Sequence, residues 1–161
     1  MNDNNKKNSN SQEILQLVSY RIGNEEFGTD ILKVREIIRT VVITKVPNSP
    51  EFVEGVIDLR GKVIPVINLR IKLGIPIKEN DYNTRIIVVE MNNSIIGFIV
   101  DSVSEVLRIP RDIIEPPPAI VSNVNSEYIT AVGKLPDRLL ILLDMEKVLT
   151  GEEKKILPNK I

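Results

Sequence analysis

The chain has 161 residues, with 21 Lys plus Arg against 22 Asp plus Glu and a net charge of -1. This length fits one or two small domains and excludes a large multidomain enzyme. The balanced charge lacks the basic field that gives most nonspecific affinity for nucleic acid, so we expect no nucleic-acid partner. Because the chain contains no His, Cys or Trp, it has no imidazole base and no thiolate, and it lacks the imidazole and thiolate ligands that zinc sites use. We therefore expect a binding protein with no cofactor and no metal.

Ile and Val dominate the apolar residues and favour strands. The sequence holds 25 Ile and 18 Val but only 2 Ala, and β-branched residues pack well in sheets. Residues 1–13 are polar and rich in Asn apart from the first Met, which predicts a disordered N-terminal tail. Short apolar runs between turn signals then predict ten strands. In chain order they are residues 15–22, 27–31, 42–46, 56–59, 63–67, 85–91, 94–100, 106–109, 128–134 and 138–143.

An internal repeat fixes the predicted architecture. Six positions match in residue type 69 residues further on, and seven more match at an offset of 76. The first set is Gly28, Ile31, Val34, Glu36, Ile37 and Arg39, which correspond to Gly97, Val100, Val103, Glu105, Val106 and Arg108. The second set runs from Phe52 to Leu69 and corresponds to Tyr128 through Met145. Each copy closes on an Asx residue and a short run ending in glycine, which predicts a capped helical turn at Asn68–Gly74 and at Asp144–Gly151.

The repeat predicts an all-β fold with short helices, built from two small β-barrel subdomains. We place the sequence halves at about 14–74 and 84–150 within a single domain of residues 14–150, followed by a C-terminal tail of residues 151–161. A module of about 70 residues buries too little surface to be stable alone. We therefore expect the two subdomains to share a hydrophobic interface and to unfold together. Two independent modules are the alternative.

A predicted hairpin carries the most informative surface residue. Apolar runs flank Arg60 and Gly61, and Gly supplies the positive φ that a tight two-residue turn needs. Arg60 would then lie at the hairpin tip with its guanidinium in solvent. Turn geometry does not require Arg at this position, so a recognition role for its five-donor fork is reasonable. The alternative is an ordinary solvated surface arginine.

Three segments of the chain resemble the CheW family of bacterial chemotaxis coupling proteins. They are residues 27–37, residues 54–70 with the sequence EGVIDLRGKVIPVINLR, and residues 138–147. The resemblance covers roughly residues 15–149. It departs from the family pattern at Asp58, often Asn, and at Asn68, often Asp, and neither position is in the turn itself. The same fold occurs in the regulatory domain of the histidine kinase CheA and in CheV, which carry additional domains.

The resemblance implies two five-stranded β-barrels, SH3-like or OB-like, that partly exchange strands between the sequence halves. It implies a non-catalytic adaptor that joins the regulatory domain of the histidine kinase CheA to the cytoplasmic tips of methyl-accepting chemoreceptors. The expected location is the cytoplasm, at receptor arrays on the inner membrane and without membrane insertion. The positions that match receptor-coupling residues are Val34, Glu36, Gly55, Arg60 and Gly61. Exposed aliphatic residues of the other barrel are candidates for the kinase contact.

Each of these residues also has a plainer interpretation. Val34 recurs as Val103 and is as well suited to core packing as to contact. Glu36 and Arg39 could form a local i,i+3 pair on a helical turn, worth a few tenths of a kcal/mol. Gly55 and Gly61 fit backbone requirements better than contacts. Arg60 is the strongest candidate because the local fold does not need it.

Other functions remain open at this point. A general interaction module of another two-component pathway is the main alternative. An enzyme would need a pocket of perturbed carboxylates or lysines, and the carboxylates at Glu25, Glu26 and Asp30 lie beside a turn with no His nearby. We expect no catalytic or metal site there, because catalytic pairs need environments that separate their pKa values.

Overall fold

A computed structural model describes residues 13–91, 93–118 and 127–157. The predicted N-terminal tail therefore lies outside the described residues, except for Glu13. Within them, eleven strands and three short α-helices follow one another. The strands are β1 Ile14–Ile22, β2 Glu25–Asp30, β3 Val34–Arg39, β4 Val53–Leu59, β5 Lys62–Asn68, β6 Arg85–Met91, β7 Ser94–Val100, β8 Ser102–Pro110, β9 Ile114–Glu115, β10 Ile129–Lys134 and β11 Leu139–Leu143. The helices are α1 Leu69–Leu73, α2 Met145–Val148 and α3 Gly151–Lys155.

The strands form two sheets that each combine both halves of the sequence. A six-stranded sheet has the order β8-β1-β2-β11-β10-β9, and a five-stranded sheet has the order β3-β6-β7-β5-β4. The all-β prediction and the exchange of strands between sequence halves are confirmed. Strand pairing within the described residues leaves both sheets open instead of closing them as barrels. The two-residue β9 adds a sixth strand at the edge of the first sheet.

The registers of the two sheets coincide under the predicted repeat. Val18 pairs with Thr29 as Ile87 pairs with Phe98, at the same offset of 69. The parallel pair Val66–Gly97 corresponds to Leu142–Gly28, because Val66 is equivalent to Leu142 at the offset of 76 and Gly28 is equivalent to Gly97 at the offset of 69. Bulges also recur, between Val34 and Glu36 in β3 and opposite Ser19 and Tyr20 in β8. The two sheets are therefore related by a pseudo-twofold operation that preserves backbone pairing down to its irregularities.

One strand was not predicted from the sequence, and one predicted strand is absent. Residues 34–39 form the edge strand β3, not a helical turn, because the β-branched residues of this segment pair with β6. Glu36 and Arg39 therefore do not form an i,i+3 helical pair. Residues 42–46 are not a strand, since only Thr44 pairs, with Val56. Val42 is 87% exposed, whereas its neighbour Ile43 packs against the apolar cluster of the five-stranded sheet.

Among the described residues, the core contains three apolar clusters. One belongs to each sheet, and a larger central cluster draws Tyr20 and Phe27 from the six-stranded sheet and Ile67, Ile87 and Phe98 from the five-stranded sheet. Tyr20 and Phe98 are fully buried there. The predicted shared hydrophobic interface is thus present, and unfolding as one unit stays a prediction.

Short capped helices follow the last strand of each copy. Asn68 Oδ1 accepts from the Arg70 amide at 2.9 Å, and Asp144 Oδ1 accepts from the Glu146 amide at 3.0 Å, as the repeat predicts. Gly74, with φ of 73°, ends α1 in the left-handed conformation. Gly151 does not end a helix, because it lies at the start of α3, where Thr150 forms a capping box.

Residues 151–157, the described part of the predicted C-terminal tail, pack onto the body of the protein. Glu153 in α3 accepts a hydrogen bond from Lys72 at 2.8 Å, and the Lys72 ammonium lies 4.8 Å from the centre of the Phe52 ring. Leu157 is buried in the central cluster. The C-terminal segment therefore covers one side of the junction between the sheets.

Candidate functional site

The β4–β5 hairpin presents Arg60 at its tip. Arg60 has φ of 51° and Gly61 has φ of 84°, so both central residues of the two-residue turn have positive φ, as a type I′ turn requires. The Asp58 carboxylate accepts a hydrogen bond from the Gly61 amide at 2.8 Å and holds the turn. The predicted hairpin is confirmed, and the Arg60 side chain is 67% exposed.

Arg60 is not a simple solvated side chain, because it binds Glu36. Its Nη1 donates to Glu36 Oε1 at 3.1 Å, and its Nη2 donates to Oε2. This fork geometry is the strongest kind of Arg–carboxylate contact. The hydrogen bond from Arg60 lowers the pKa of Glu36 and raises the pKa of Arg60, so both groups stay charged. Two residues from the predicted site are thus brought together over 24 positions of sequence.

The ion pair connects the two edge strands of the five-stranded sheet. Glu36 lies on β3 at one edge, and Arg60 lies in the hairpin of β4 at the opposite edge. The β3 bulge inserts Arg35 just before Glu36, and Arg35 donates to Glu90 on β6 at 3.2 Å. Bulges re-aim the side chains next to them. Here the bulge places two oppositely charged side chains, Arg35 and Glu36, on the same exposed edge.

The other predicted residues serve the backbone and core. Val34 is half-buried and packs against the central cluster. Gly55 has φ of 152°, and a Cβ there would overlap the Thr44 carbonyl, whose oxygen accepts from the Val56 amide at 2.8 Å. Gly61 has open space around it. The structure therefore groups Glu36, Arg60 and Gly61 as surface residues, whereas Val34 and Gly55 have evident packing roles.

A surface depression of about 330 Å³ lies beside the hairpin tip. Besides Arg60 and Gly61, it is lined by residues that the sequence did not single out. They are Arg35, Leu59, Lys62, Ile64 and Ile95. All of its charged lining residues are cations, and its floor is aliphatic. Neither Arg35 nor Lys62 was predicted from the sequence, because Arg35 lies at the β3 bulge and Lys62 joins the depression only in the folded chain.

The six-stranded sheet holds a different polar arrangement at the equivalent place. Arg138 Nε donates to Glu26 Oε1 at 2.6 Å, and Ser19 donates to Oε2. Glu26 is 7% exposed. Burial acts to raise the pKa of Glu26, but the hydrogen bonds from Arg138 and Ser19 outweigh it and lower the pKa below its ordinary value. Arg138 also lies 3.7 Å from Glu105, the repeat equivalent of Glu36.

Among residues 13–91, 93–118 and 127–157, no cluster of acidic side chains has the arrangement of a metal site. The three short helices seen in this part of the chain are not long and apolar enough to cross a membrane. Every buried side-chain polar atom in the same ranges has a hydrogen-bond partner.

Comparison with known proteins identifies the family to which these two interleaved sheets with a charged hairpin tip belong. The CheW-like domain family matches residues 16–153. The chemotaxis protein CheW of Klebsiella aerogenes is 40% identical over 144 residues, covering 89% of this chain and 87% of that protein. CheW of Helicobacter pylori is 38% identical over 143 residues, covering 89% and 86%.

A solved structure agrees with the sequence relatives. The crystal structure of the scaffolding protein TtCheW from Thermoanaerobacter tengcongensis matches with a TM-score of 0.82 at 36% identity, over 90% of this chain and 99% of that one. The chain belongs to the CheW-like domain family. Proteins of this family are non-catalytic scaffolds of chemotaxis, in agreement with the prediction from the sequence.

Proposed function

We propose that this chain is an adaptor that couples the histidine kinase CheA to the cytoplasmic tips of methyl-accepting chemoreceptors. Membership of the CheW-like family supports the proposal, and so does the body of two sheets, which offers two separate faces. A typical specific interface needs about 800 Å² per partner. A rigid body with a shared core can hold two such partners in a fixed relation. In this role it acts in the cytoplasm, at receptor arrays on the inner membrane.

The receptor face is the surface around the Glu36–Arg60 ion pair. This observation carries the proposal, because an exposed arginine held by a carboxylate is oriented before any partner arrives, and preorganisation lowers the entropy cost of binding. The receptor tip is a helical hairpin, and helices are held by one face of their side chains. Glu36, Arg60 and Gly61 supply the contact, while Val34 and Gly55 shape the strands that present it.

The kinase face lies on the other sheet. Val106 is 50% exposed and Leu139 is 61% exposed, and both belong to the six-stranded sheet. Aliphatic residues exposed on a sheet suit contact with a second apolar sheet surface. The regulatory domain of CheA, which shares this fold by resemblance, supplies such a surface. The two partners then occupy different sheets of one molecule.

Binding of the native chain and of Arg60→Glu to two partners tests the adaptor proposal. The partners are the CheA regulatory domain and a soluble receptor tip, and the readout is the dissociation constant from calorimetry. Arg60→Glu should keep kinase affinity and lose receptor affinity, because it places like charges side by side at Glu36. Lys155→Glu, a charge reversal on exposed α3, is the matched control and should bind both partners normally.

Three outcomes separate the alternatives. Equal receptor affinity for the native chain and Arg60→Glu would remove Arg60 from the site. Kinase binding without any receptor binding would favour a general interaction module of another two-component pathway. Binding to neither partner would contradict the adaptor function.

A further inference from the structure

The pseudo-twofold relation between the sheets pairs Lys62 with Arg138 and Ile95 with Glu26. Lys62 directly precedes Val63 in β5, and Arg138 directly precedes its repeat equivalent Leu139 in β11. The parallel pairing of β5 with β7 has the same register as that of β11 with β2. Glu26 and Ile95 lie two residues before Gly28 and Gly97 on β2 and β7. The two sheets can therefore be compared by the side chain that lies beside Arg138 in one sheet and beside Lys62 in the other.

In the six-stranded sheet, the protein supplies the carboxylate itself. Glu26 reaches Arg138 from β2 at 2.6 Å, and its other oxygen accepts from Ser19. A buried carboxylate is stable only when it is paired and hydrogen-bonded in this way. The hairpin cation of this sheet is thus satisfied from within the fold.

In the five-stranded sheet, the equivalent positions are apolar. Ile95 replaces Glu26 and Val88 replaces Ser19, and both are buried. Lys62 forms no ion pair with any residue of the ranges that the structure describes. It lines the depression together with Arg35 and Arg60. The acids nearby face elsewhere, since Glu36 binds Arg60, Glu90 binds Arg35 and Asp58 binds the turn amide.

We propose that this depression receives a carboxylate from the receptor tip, with Lys62 and Arg60 as its cationic partners. The inference rests on the proposed receptor function and specifies its chemistry. Three cations around an aliphatic floor of Leu59, Ile64 and Ile95 fit an acidic side chain whose methylene stem lies on that floor. A glutamate on the docking helix has this shape. The partner thus provides from outside what Glu26 provides inside the other sheet.

Neutralising Lys62 tests the site on the full chain. Lys62→Gln should bind the soluble receptor tip about two- to fivefold more weakly at low salt, the range expected for an exposed charge pair. Its affinity should also fall less steeply with added salt than that of the native chain. Lys155→Gln is the matched control on α3 and should leave both the affinity and the salt dependence unchanged.

A second variant transfers the internal carboxylate to the five-stranded sheet. Ile95→Glu should place its own carboxylate beside Lys62 and weaken receptor binding more than the uncharged Ile95→Gln, with circular dichroism and thermal melting as the checks of folding. If Ile95→Glu does not fold, Lys62→Gln combined with changes in the receptor tip keeps the test complete. Replacing acidic residues of the tip one at a time by their amides should reveal one whose effect is absent in Lys62→Gln.

The result that overturns this site is receptor binding by Lys62→Gln with native affinity and native salt dependence. In that case the adaptor function stands and the carboxylate contact is wrong. Absence of binding by the native chain would instead contradict the adaptor function, and with it the receptor as the source of the carboxylate.

Discussion

The two sheets share the same backbone pairing but have side chains of opposite polarity at equivalent positions. The six-stranded sheet buries Ser19 and Glu26, which bind each other and the exposed Arg138, whereas the five-stranded sheet has Val88 and Ile95 where Ser19 and Glu26 stand. Registers and bulges coincide nonetheless. Pairing in a sheet depends on backbone groups and on which face is buried, so interior side chains can change while the register stays fixed. The difference teaches that the six-stranded sheet pairs Arg138 with a carboxylate of its own, whereas Lys62 at the equivalent position of the five-stranded sheet has no ion pair with the described residues.

The largest expected effect concerns the core that unites the two sheets. Phe98→Ala should destabilise the protein by about 3–5 kcal/mol, the usual cost of removing a buried Phe. Because the central cluster contains residues from both sheets, the loss should lower a single unfolding transition. Calorimetry checks this, and separate transitions for the two sheets in the native chain would contradict a shared cooperative unit.

The next comparison sets Arg138 against its repeat equivalent Lys62. Arg138→Gln leaves the buried Glu26 carboxylate without its main partner, so the melting temperature should fall clearly. Lys62→Gln removes an exposed charge outside the ion pairs of the described residues, and surface changes of this kind usually alter stability by less than about 0.5 kcal/mol. Thermal melting of both variants checks the contrast. Equal losses in the two variants would show that the Glu26 cluster contributes little to stability.

A smaller effect should appear in the dependence of stability on pH. The pKa of Glu26 in the folded chain lies below its ordinary value of 4.5, so the unfolded chain binds a proton at higher pH than the folded chain does. The stability from this group is present above about pH 4.5 and is lost as the pH falls through the folded pKa. Urea unfolding of the native chain and of Glu26→Gln between pH 7 and pH 3 should therefore differ in slope at the acid end. Parallel curves would contradict this contribution of Glu26.

The turns and helix caps of each repeat copy were predictable, because their signals lie between residues that are close in sequence. The hairpin at Arg60 and Gly61 and the caps at Asn68 and Asp144 depend on neighbouring residues and were predicted correctly. The edge strand β3 was missed, since the spacing of Glu36 and Arg39 is compatible with a helical turn when its partner strand is unknown.

The site was less predictable than the fold, because its contacts join distant segments. Arg60 meets Glu36 only when the ends of the five-stranded sheet approach each other. Glu26 follows a turn and looks like an exposed carboxylate in the sequence, yet it is 7% exposed and pairs with a residue 112 positions away. Arg35 and Lys62 became visible as site residues only through the bulge and the depression.

The exchange of strands between the halves determines how the protein should respond to cleavage of its chain. Cutting the connection between α1 and β6 would leave two fragments, neither of which contains all the strands of either sheet. Each fragment would be complete only in the presence of the other, so the pair should reassociate by fragment complementation and restore both sheets at once. The same topology is compatible with domain swapping, in which two copies of the intact chain exchange sequence halves and keep every strand pairing.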